Sequence, residues 1–146
     1  MGEKKLGATR ENLGYLLAKA SQRWNELLYA EFVAAGYPEV RPAYGSVLLP
    51  LFEEDGLRMG ELARRARLSK QTITTLVRLM ERNELVGRRR DQEDQRAVRV
   101  YLSPRARAFR PVAERVLERL ERRVASRLSP AGRSKLAHGL KEVMEL

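Results

Sequence analysis

The chain has 146 residues, a formal net charge of +10 and no cysteine. This length suffices for one domain with its own core, and 43% hydrophobic residues is typical of a globular protein. The absence of cysteine excludes disulfides, thiolate catalysis, cysteine-ligated zinc and thiol redox sensing.

The basic residues are concentrated in the middle and at the end of the chain. Residues 1–56 carry six basic and eight acidic side chains, residues 57–102 carry 12 and six, and residues 103–146 carry 11 and five. Of the 29 basic residues 23 are arginine, which suits bidentate contacts with phosphate and guanine. This distribution indicates a face for a polyanion and favours nucleic acid over a membrane surface.

The sequence shows no membrane or export signal. No apolar run reaches the roughly 20 residues that span a bilayer, and Met1–Arg10 has no apolar signal-peptide core. We therefore expect a soluble cytoplasmic protein with no membrane partner.

The first predicted helix is long. Apolar residues recur at steps of three and four from Leu13 to Phe32, which is the period of one helix face. Thr9 is the predicted N-cap and Gly36 the predicted stop.

Three further helices are predicted between Pro42 and Arg82. One begins near Pro42 and ends at the Asp55-Gly56 turn. A short one covers about 59–66, and a third begins after the N-cap Ser69 and runs to about Arg82.

The helix after Ser69 has two contrasting faces. Its apolar stripe is Ile73, Leu76, Val77 and Met80, and its opposite face is Lys70, Gln71, Thr74, Thr75 and Arg78. All five residues of the polar face can donate hydrogen bonds. This face is either an ordinary solvated surface or a nucleic-acid contact.

After this helix, the hydrophobic periodicity changes to the alternation typical of β-strands. Apolar and polar residues alternate over 98–102, and residues 85–90 supply a partner strand across a polar tip at 91–96. Ser103-Pro104 and Ser129-Pro130 then repeat the same start signal for two C-terminal helices.

This order of elements predicts a mainly α fold with a small β-hairpin wing, the winged helix-turn-helix. An α-helix fits the major groove of DNA, the preceding helix braces it, and a hairpin beside it reaches phosphates or the minor groove. Groove contact is therefore the favoured interpretation of the polar helix face.

The residues of this region also resemble a known family. The segments that carry the resemblance are Gly60-Glu61-Leu62-Ala63, Leu68-Ser69-Lys70-Gln71-Thr72-Ile73-Thr74, Leu76-Val77-Arg78-Leu79-Met80-Glu81-Arg82, Leu85-Val86, Arg88-Arg89, Asp91-Gln92-Glu93-Asp94-Gln95-Arg96-Ala97 and Leu102-Ser103. In this order, with the Asp-x-x-Asp-x-Arg wing, they are similar to MarR-type (multiple antibiotic resistance) transcriptional regulators. The match covers about 57–109.

The resemblance implies a homodimer whose terminal helices interlock, with one winged domain per subunit on half of a pseudo-palindromic double-stranded operator. It implies an N-terminal dimerisation helix in 1–40, a DNA-binding domain in 41–102 and C-terminal dimerisation helices in 103–146. We favour this shared core over an intramolecular one, because the terminal apolar stripes exceed what a small winged domain covers.

The resemblance also assigns roles to single residues. The recognition helix enters the major groove, Arg96 enters the minor groove, and Asp94 holds the wing tip in shape. The expected DNA-contacting residues are Ser69, Lys70, Gln71, Thr72, Thr74, Thr75, Arg78, Arg88, Arg89 and Arg96. For the wing arginines, protection of a sheet edge is a second interpretation.

Four positions depart from the family pattern. Gln92 stands where a proline is usual, Gln95 where a basic residue is frequent, Glu84 where a glycine is common and Thr75 where an arginine is frequent. With Glu84 in that place, Asn83 is the predicted left-handed terminator of the recognition helix.

Regulators of this type often release DNA on binding an aromatic ligand between the dimerisation helices and the winged domain. Tyr15, Trp24, Arg41 and Tyr44 are the expected effector-pocket residues, with a core role as the alternative.

No enzymatic activity, cofactor or metal site is predicted. His138 is the only histidine, and no nucleophile–base set or glycine-rich phosphate loop is present. The arginines between 115 and 127 alternate with glutamates at helical spacing, which indicates a solvated, ion-paired surface.

The sequence thus predicts a DNA-binding transcriptional regulator in a bacterial or archaeal nucleoid, most simply a repressor. A non-specific nucleoid or RNA-binding protein is the alternative, and a membrane-surface protein is a third.

Overall fold

The structure is a computed structural model that describes residues 7–146. Its elements are α1 (Leu13–Ala34), a 3-10 helix (Pro42–Tyr44), α2 (Gly45–Glu53), β1 (Leu57–Arg58), α3 (Met59–Ala66), α4 (Lys70–Arg82), β2 (Val86–Arg90), β3 (Val98–Leu102) and α5 (Pro104–Met144). The chain forms one compact unit up to Phe109 and a second from Arg110 to Leu146. The predicted fold class, mainly helical with a small antiparallel sheet, is confirmed.

Helix α1 begins later than predicted. Asn12, not Thr9, is its N-cap, and the Asn12 side-chain oxygen accepts from the Gly14 N–H at 2.9 Å. Thr9 instead accepts from the Glu11 N–H in the preceding turn. Asparagine caps more strongly than threonine, so the helix starts at the better cap. The predicted stop is confirmed, since Gly36 has a φ of 91°.

The turn after α2 is organised by Asp55. Its carboxylate accepts from the Gly56 N–H at 3.0 Å and from the Leu102 N–H at 2.9 Å, which ties the turn to β3. Gly56 has a φ of 74°, and a Cβ there would lie 2.7 Å from the Tyr101 ring. Any larger residue at 56 would therefore be strained and would collide with β3.

The sheet has three strands in the order β1-β3-β2, not the predicted two. Leu57 pairs with Val100, and Arg58 pairs with Arg99. A two-residue strand is too short for an alternating pattern, so periodicity does not reveal β1.

The end of α4 corrects a second prediction. Glu84, not Asn83, is left-handed, with a φ of 58°. The Leu85 N–H donates to the Met80 carbonyl at 2.9 Å and the Glu84 N–H to the Glu81 carbonyl at 3.0 Å, the two bonds of a Schellman motif. Leu85 is fully buried, so its packing forces Glu84 into this conformation.

The core of the first unit lies under the helix-turn-helix and the sheet. Its buried apolar side chains include Val47, Leu48, Leu51, Leu57, Leu62, Ile73, Val77, Met80, Leu85, Val86, Val100 and Leu102. Phe32 and Phe109 meet edge to face at 4.9 Å between ring centroids and join α1 to the start of α5.

In the second unit, α5 is broken at Ser129, whose φ and ψ are 69° and 159°. The Ser129 hydroxyl accepts from the Gly132 N–H at 3.1 Å, so the predicted helix start at Ser129-Pro130 is confirmed. Across residues 7–146, no helix is both long and apolar enough to cross a bilayer.

Candidate nucleic-acid interface

The turn between α3 and α4 sets where the recognition helix begins. Arg67 is left-handed, and the Leu68 N–H donates to the Ala63 carbonyl, which closes α3. Ser69 then caps α4 as predicted, because its hydroxyl accepts from the Thr72 N–H at 3.0 Å and also donates to the Thr72 hydroxyl at 2.8 Å. The Ser69 and Thr72 hydroxyls are therefore engaged in hydrogen bonds at the N-terminus of α4.

Helix α4 is divided into an apolar and a polar face. Ile73, Val77 and Met80 are buried and Leu76 is half-buried, whereas Lys70, Gln71, Thr75 and Arg78 are exposed and Thr74 is half-buried. Within the described residues, the side chains of Lys70, Gln71 and Arg78 have no hydrogen-bonding or ionic partner. This face thus combines fixed backbone geometry with unused donors.

The arginines of α3 are bound to carboxylates. Arg64 and Arg65 both pair with Glu61, and Arg65 also reaches Glu54 at 2.6 Å. The hydrogen bond from Arg64, followed by that from Arg65, lowers the pKa of Glu61 to about 2. Both guanidinium groups are thus engaged by carboxylates, Glu61 on α3 and Glu54 directly after α2.

The wing sheet places three arginines side by side. Arg58 and Arg89 both lie opposite Arg99, one from each neighbouring strand, so the three form one cross-strand row. Like charges in directly opposed positions repel. The Arg89 guanidinium lies over the Tyr101 ring, 5.1 Å from its centroid, and this cation–π contact stabilises its charge.

Asp91 is the shared counter-ion of the other two members of this row, Arg58 and Arg99. It is only 4% exposed, pairs with Arg58, and has its Oδ1 atom 3.5 Å from the Arg99 Nε. The Glu93 N–H donates to Asp91 at 3.1 Å, and this bond, with Arg58 and Arg99, holds the pKa of the Asp91 carboxyl below its ordinary value. We call Asp91, Arg58 and Arg99 the wing clamp.

The wing clamp is the functional feature that sequence reasoning missed. Asp91 is the first aspartate of the Asp-x-x-Asp-x-Arg motif, in which the family resemblance assigns a structural role only to Asp94, the second. The motif is the sequence feature from which a structural role for Asp91 could have been predicted. The partner Arg58 lies in the strand that periodicity did not reveal.

The wing tip is a tight turn built on Asp94. Its carboxylate accepts from the Arg96 N–H at 3.0 Å, and its carbonyl accepts from the Ala97 N–H at 2.9 Å. The Arg96 side chain is 96% exposed, with its Nε 3.7 Å from Asp94. The turn thus presents Arg96 outward.

Arg88 occupies a different environment from the other wing arginines. It lies opposite Val100 on the face that meets the core, and its Nε is 2.7 Å from the Glu81 carboxylate on α4. This ion pair links the wing to the recognition helix and engages a side chain expected on DNA.

The four expected effector residues are dispersed over the first unit. Arg41 lines an open cavity of about 570 Å³ with Tyr29 and neighbouring residues of α1, and its guanidinium lies over the Tyr29 ring at 5.0 Å. Tyr44 is buried, and its hydroxyl accepts from the Asn83 amide at 2.9 Å. Tyr15 is exposed, Trp24 is half-buried, and neither lines this cavity.

The sequence of this region is similar to that of known transcriptional regulators. The model of the MarR family matches residues 42–98, which contain α2 to α4 and nearly the whole wing. This match identifies residues 42–98 as a MarR-type region. The chain is 30% identical over 95 residues to the exopolysaccharide II synthesis transcriptional activator ExpG of Rhizobium meliloti, a match covering 65% of this chain and 48% of ExpG. It is also 38% identical over 64 residues to the regulator TtmR of Methylorubrum extorquens, covering 44% and 33%. The aligned segment thus spans half or less of these relatives.

Solved MarR-type structures share the fold over almost the whole chain. The transcriptional repressor CouR bound to a 23-mer DNA duplex is 26% identical, covers 98% of this chain and 99% of its own, and has a TM-score of 0.79. A probable transcriptional regulator from Pseudomonas aeruginosa, 24% identical with coverages of 91% and 97%, has a TM-score of 0.80. The winged-helix prediction is confirmed. The family and these relatives are transcriptional regulators, not enzymes.

The wing clamp gives a prediction about acid. Because the folded-state pKa of Asp91 is lowered, its stabilisation of the wing is complete above the ordinary carboxyl value of 3.8 and is lost as the pH falls through the lower folded value. In a titration followed by amide NMR, the Glu93 N–H signal should move with a midpoint below 3.8. Asp91→Asn should abolish this movement, whereas Asp94→Asn should leave it in place. A midpoint at or above 3.8 would contradict the clamp.

Proposed function

We propose that this protein is a sequence-specific, double-stranded DNA-binding transcriptional regulator that acts as a homodimeric repressor. The observation that carries the proposal is the polar face of α4, with exposed Lys70, Gln71 and Arg78, on the same unit as a wing that presents Arg96. Such a helix matches the width of the major groove, and an extended arginine beside it suits the minor groove.

Two similar proteins support the proposal in different respects. CouR is a repressor held on a DNA duplex, and it is similar over almost the full length of this chain. ExpG is an activator, similar over 95 residues. Repression needs only that the bound protein blocks polymerase, whereas activation needs a further contact with it, so repression is the simpler assignment.

Exposed apolar surface supports the dimer. Leu13 is 66% exposed and Leu16 43% exposed on the first half of α1. The second unit exposes Leu128, Leu136, Leu140, Val143 and Met144. A second copy of the chain would cover such helical stripes, as in other helical dimers.

Selection of bound sequences from a random duplex pool tests the specificity and the dimer together. We expect an enriched two-fold motif with half-sites about 34–36 Å, one helical turn, apart. A single asymmetric motif would reject the dimer on DNA. No enriched motif, with equal binding of random duplex or RNA, would replace this proposal by the non-specific alternative, and binding to anionic vesicles in place of duplex would favour the membrane alternative.

The wing makes a separate prediction about salt. Arg96→Ala should weaken binding to the selected duplex and reduce the slope of log affinity against log salt by about 0.9 for one lost phosphate contact. Arg122→Ala is the matched control, because it removes the same charge from an arginine paired with Glu118 at 3.1 Å in the second unit. If both variants changed the affinity and the salt slope equally, Arg96 would contribute only through the net charge of the protein and not through a contact with DNA.

Release by a small aromatic effector is the remaining part of the proposal. Its support is the open depression at Arg41, whose rim combines a cation with the Tyr29 ring. With benzoate as the probe, we expect displacement of labelled duplex from the wild type and a weaker response from Arg41→Ala. Identical displacement curves would remove Arg41 from effector binding, and no displacement by benzoate would count against an aromatic carboxylate effector.

A further inference from the structure

Two threonines on the polar face of α4 have their hydroxyl hydrogens engaged. The Thr74 hydroxyl donates to the Lys70 carbonyl at 2.8 Å, and the Thr75 hydroxyl donates to the Gln71 carbonyl at 3.0 Å. Each bond runs back one helical turn, the local arrangement that threonine forms within helices. A hydroxyl has one hydrogen to donate, so neither threonine has a donor left for a base.

What each threonine can still offer is an acceptor and a methyl group. The hydroxyl oxygen retains a lone pair, and the γ-methyl is apolar. In the major groove, an A·T pair presents the adenine N6 amino donor together with the thymine 5-methyl group. A G·C pair presents the cytosine N4 donor but no methyl, and guanine presents only acceptors. The A·T pair alone matches both features.

The neighbouring side chain on this face favours the same base pair. Gln71 lies one helical turn before Thr75, is exposed, and has a side-chain amide without a partner in the described residues. A glutamine amide pairs in bidentate fashion with the N6 and N7 atoms of adenine. Gln71 and Thr75 together therefore suit adjacent A·T pairs.

We propose that Thr74 and Thr75 are specificity-determining residues that read A·T pairs in each half-site, through the thymine 5-methyl group and the adenine amino group. The inference rests on the proposed function, because it requires α4 to lie in the major groove. It adds the base composition under the middle of that helix, which the general fold does not specify.

The decisive experiment changes the DNA and leaves the wild-type protein intact. Each thymine of the selected half-site is replaced in turn by deoxyuridine, which removes the 5-methyl group and preserves base pairing. We expect one or two positions at which affinity, measured at one fixed salt concentration, falls about fourfold, the factor for one methyl-sized group removed from an apolar contact.

Variants then identify the side chain that reads each methyl group. Thr75→Val keeps a methyl and deletes the hydroxyl, so it should remain sensitive to deoxyuridine at its position. Thr75→Ser keeps the hydroxyl and deletes the methyl, so it should bind the thymine and deoxyuridine duplexes equally. Thr74→Val and Thr74→Ser give the same comparison for the other residue, and Thr9→Ser, outside α4, should behave as the wild type.

The outcomes separate this inference from the proposed function. A selected motif that the protein binds specifically, but with G·C pairs under α4 or with no loss on any deoxyuridine substitution, would overturn the threonine readout and leave a sequence-specific regulator. No selected motif would overturn the proposed function and this inference with it.

Discussion

One buried carboxylate makes the wing sheet possible. Arg58 and Arg99 lie opposite each other on adjacent strands, with Arg89 next in the row, an arrangement that repulsion would open. Asp91 is the counter-ion that two of the three share, and it is also tied to the start of the wing tip through the Glu93 N–H. Without that charge, the strand pairing would bring cations together with nothing between them.

Ion pairing also determines which basic side chains remain available to bind DNA. Arg88 is bonded to Glu81, Arg64 and Arg65 are bonded to Glu61, and Arg58 and Arg99 are held by Asp91. The Arg88–Glu81 pair joins the wing to α4, and the Asp91 pairs join the wing tip to β1 and β3. In the helix-turn-helix and the wing, the exposed basic side chains outside these pairs include Lys70 and Arg78 on α4 and Arg96 at the wing tip.

Elements with a repeating hydrophobic pattern were predictable from the sequence, whereas features that depend on a single long-range contact were not. The stripe Ile73, Val77 and Met80 repeats over about two helical turns, so α4 and its two faces follow from periodicity. Strand β1 has two residues and exists because Val100 and Arg99 offer it an edge. Glu84 is left-handed because of the burial of Leu85, and the Asn83 amide is committed to Tyr44, a residue 39 positions away. Such long-range constraints leave no local pattern.

The Tyr44–Asn83 bond also bears on how a ligand could influence α4. Tyr44 ends the 3-10 helix that begins at Pro42, and Pro42 and Arg41 line the open cavity beside α1. Asn83 follows directly on the last residue of the recognition helix. A ligand that displaces Arg41 or Pro42 would therefore act on a segment bonded to the end of α4. Coupling requires that the ligand have different affinities for the two positions of this segment, since a ligand that binds both equally shifts neither.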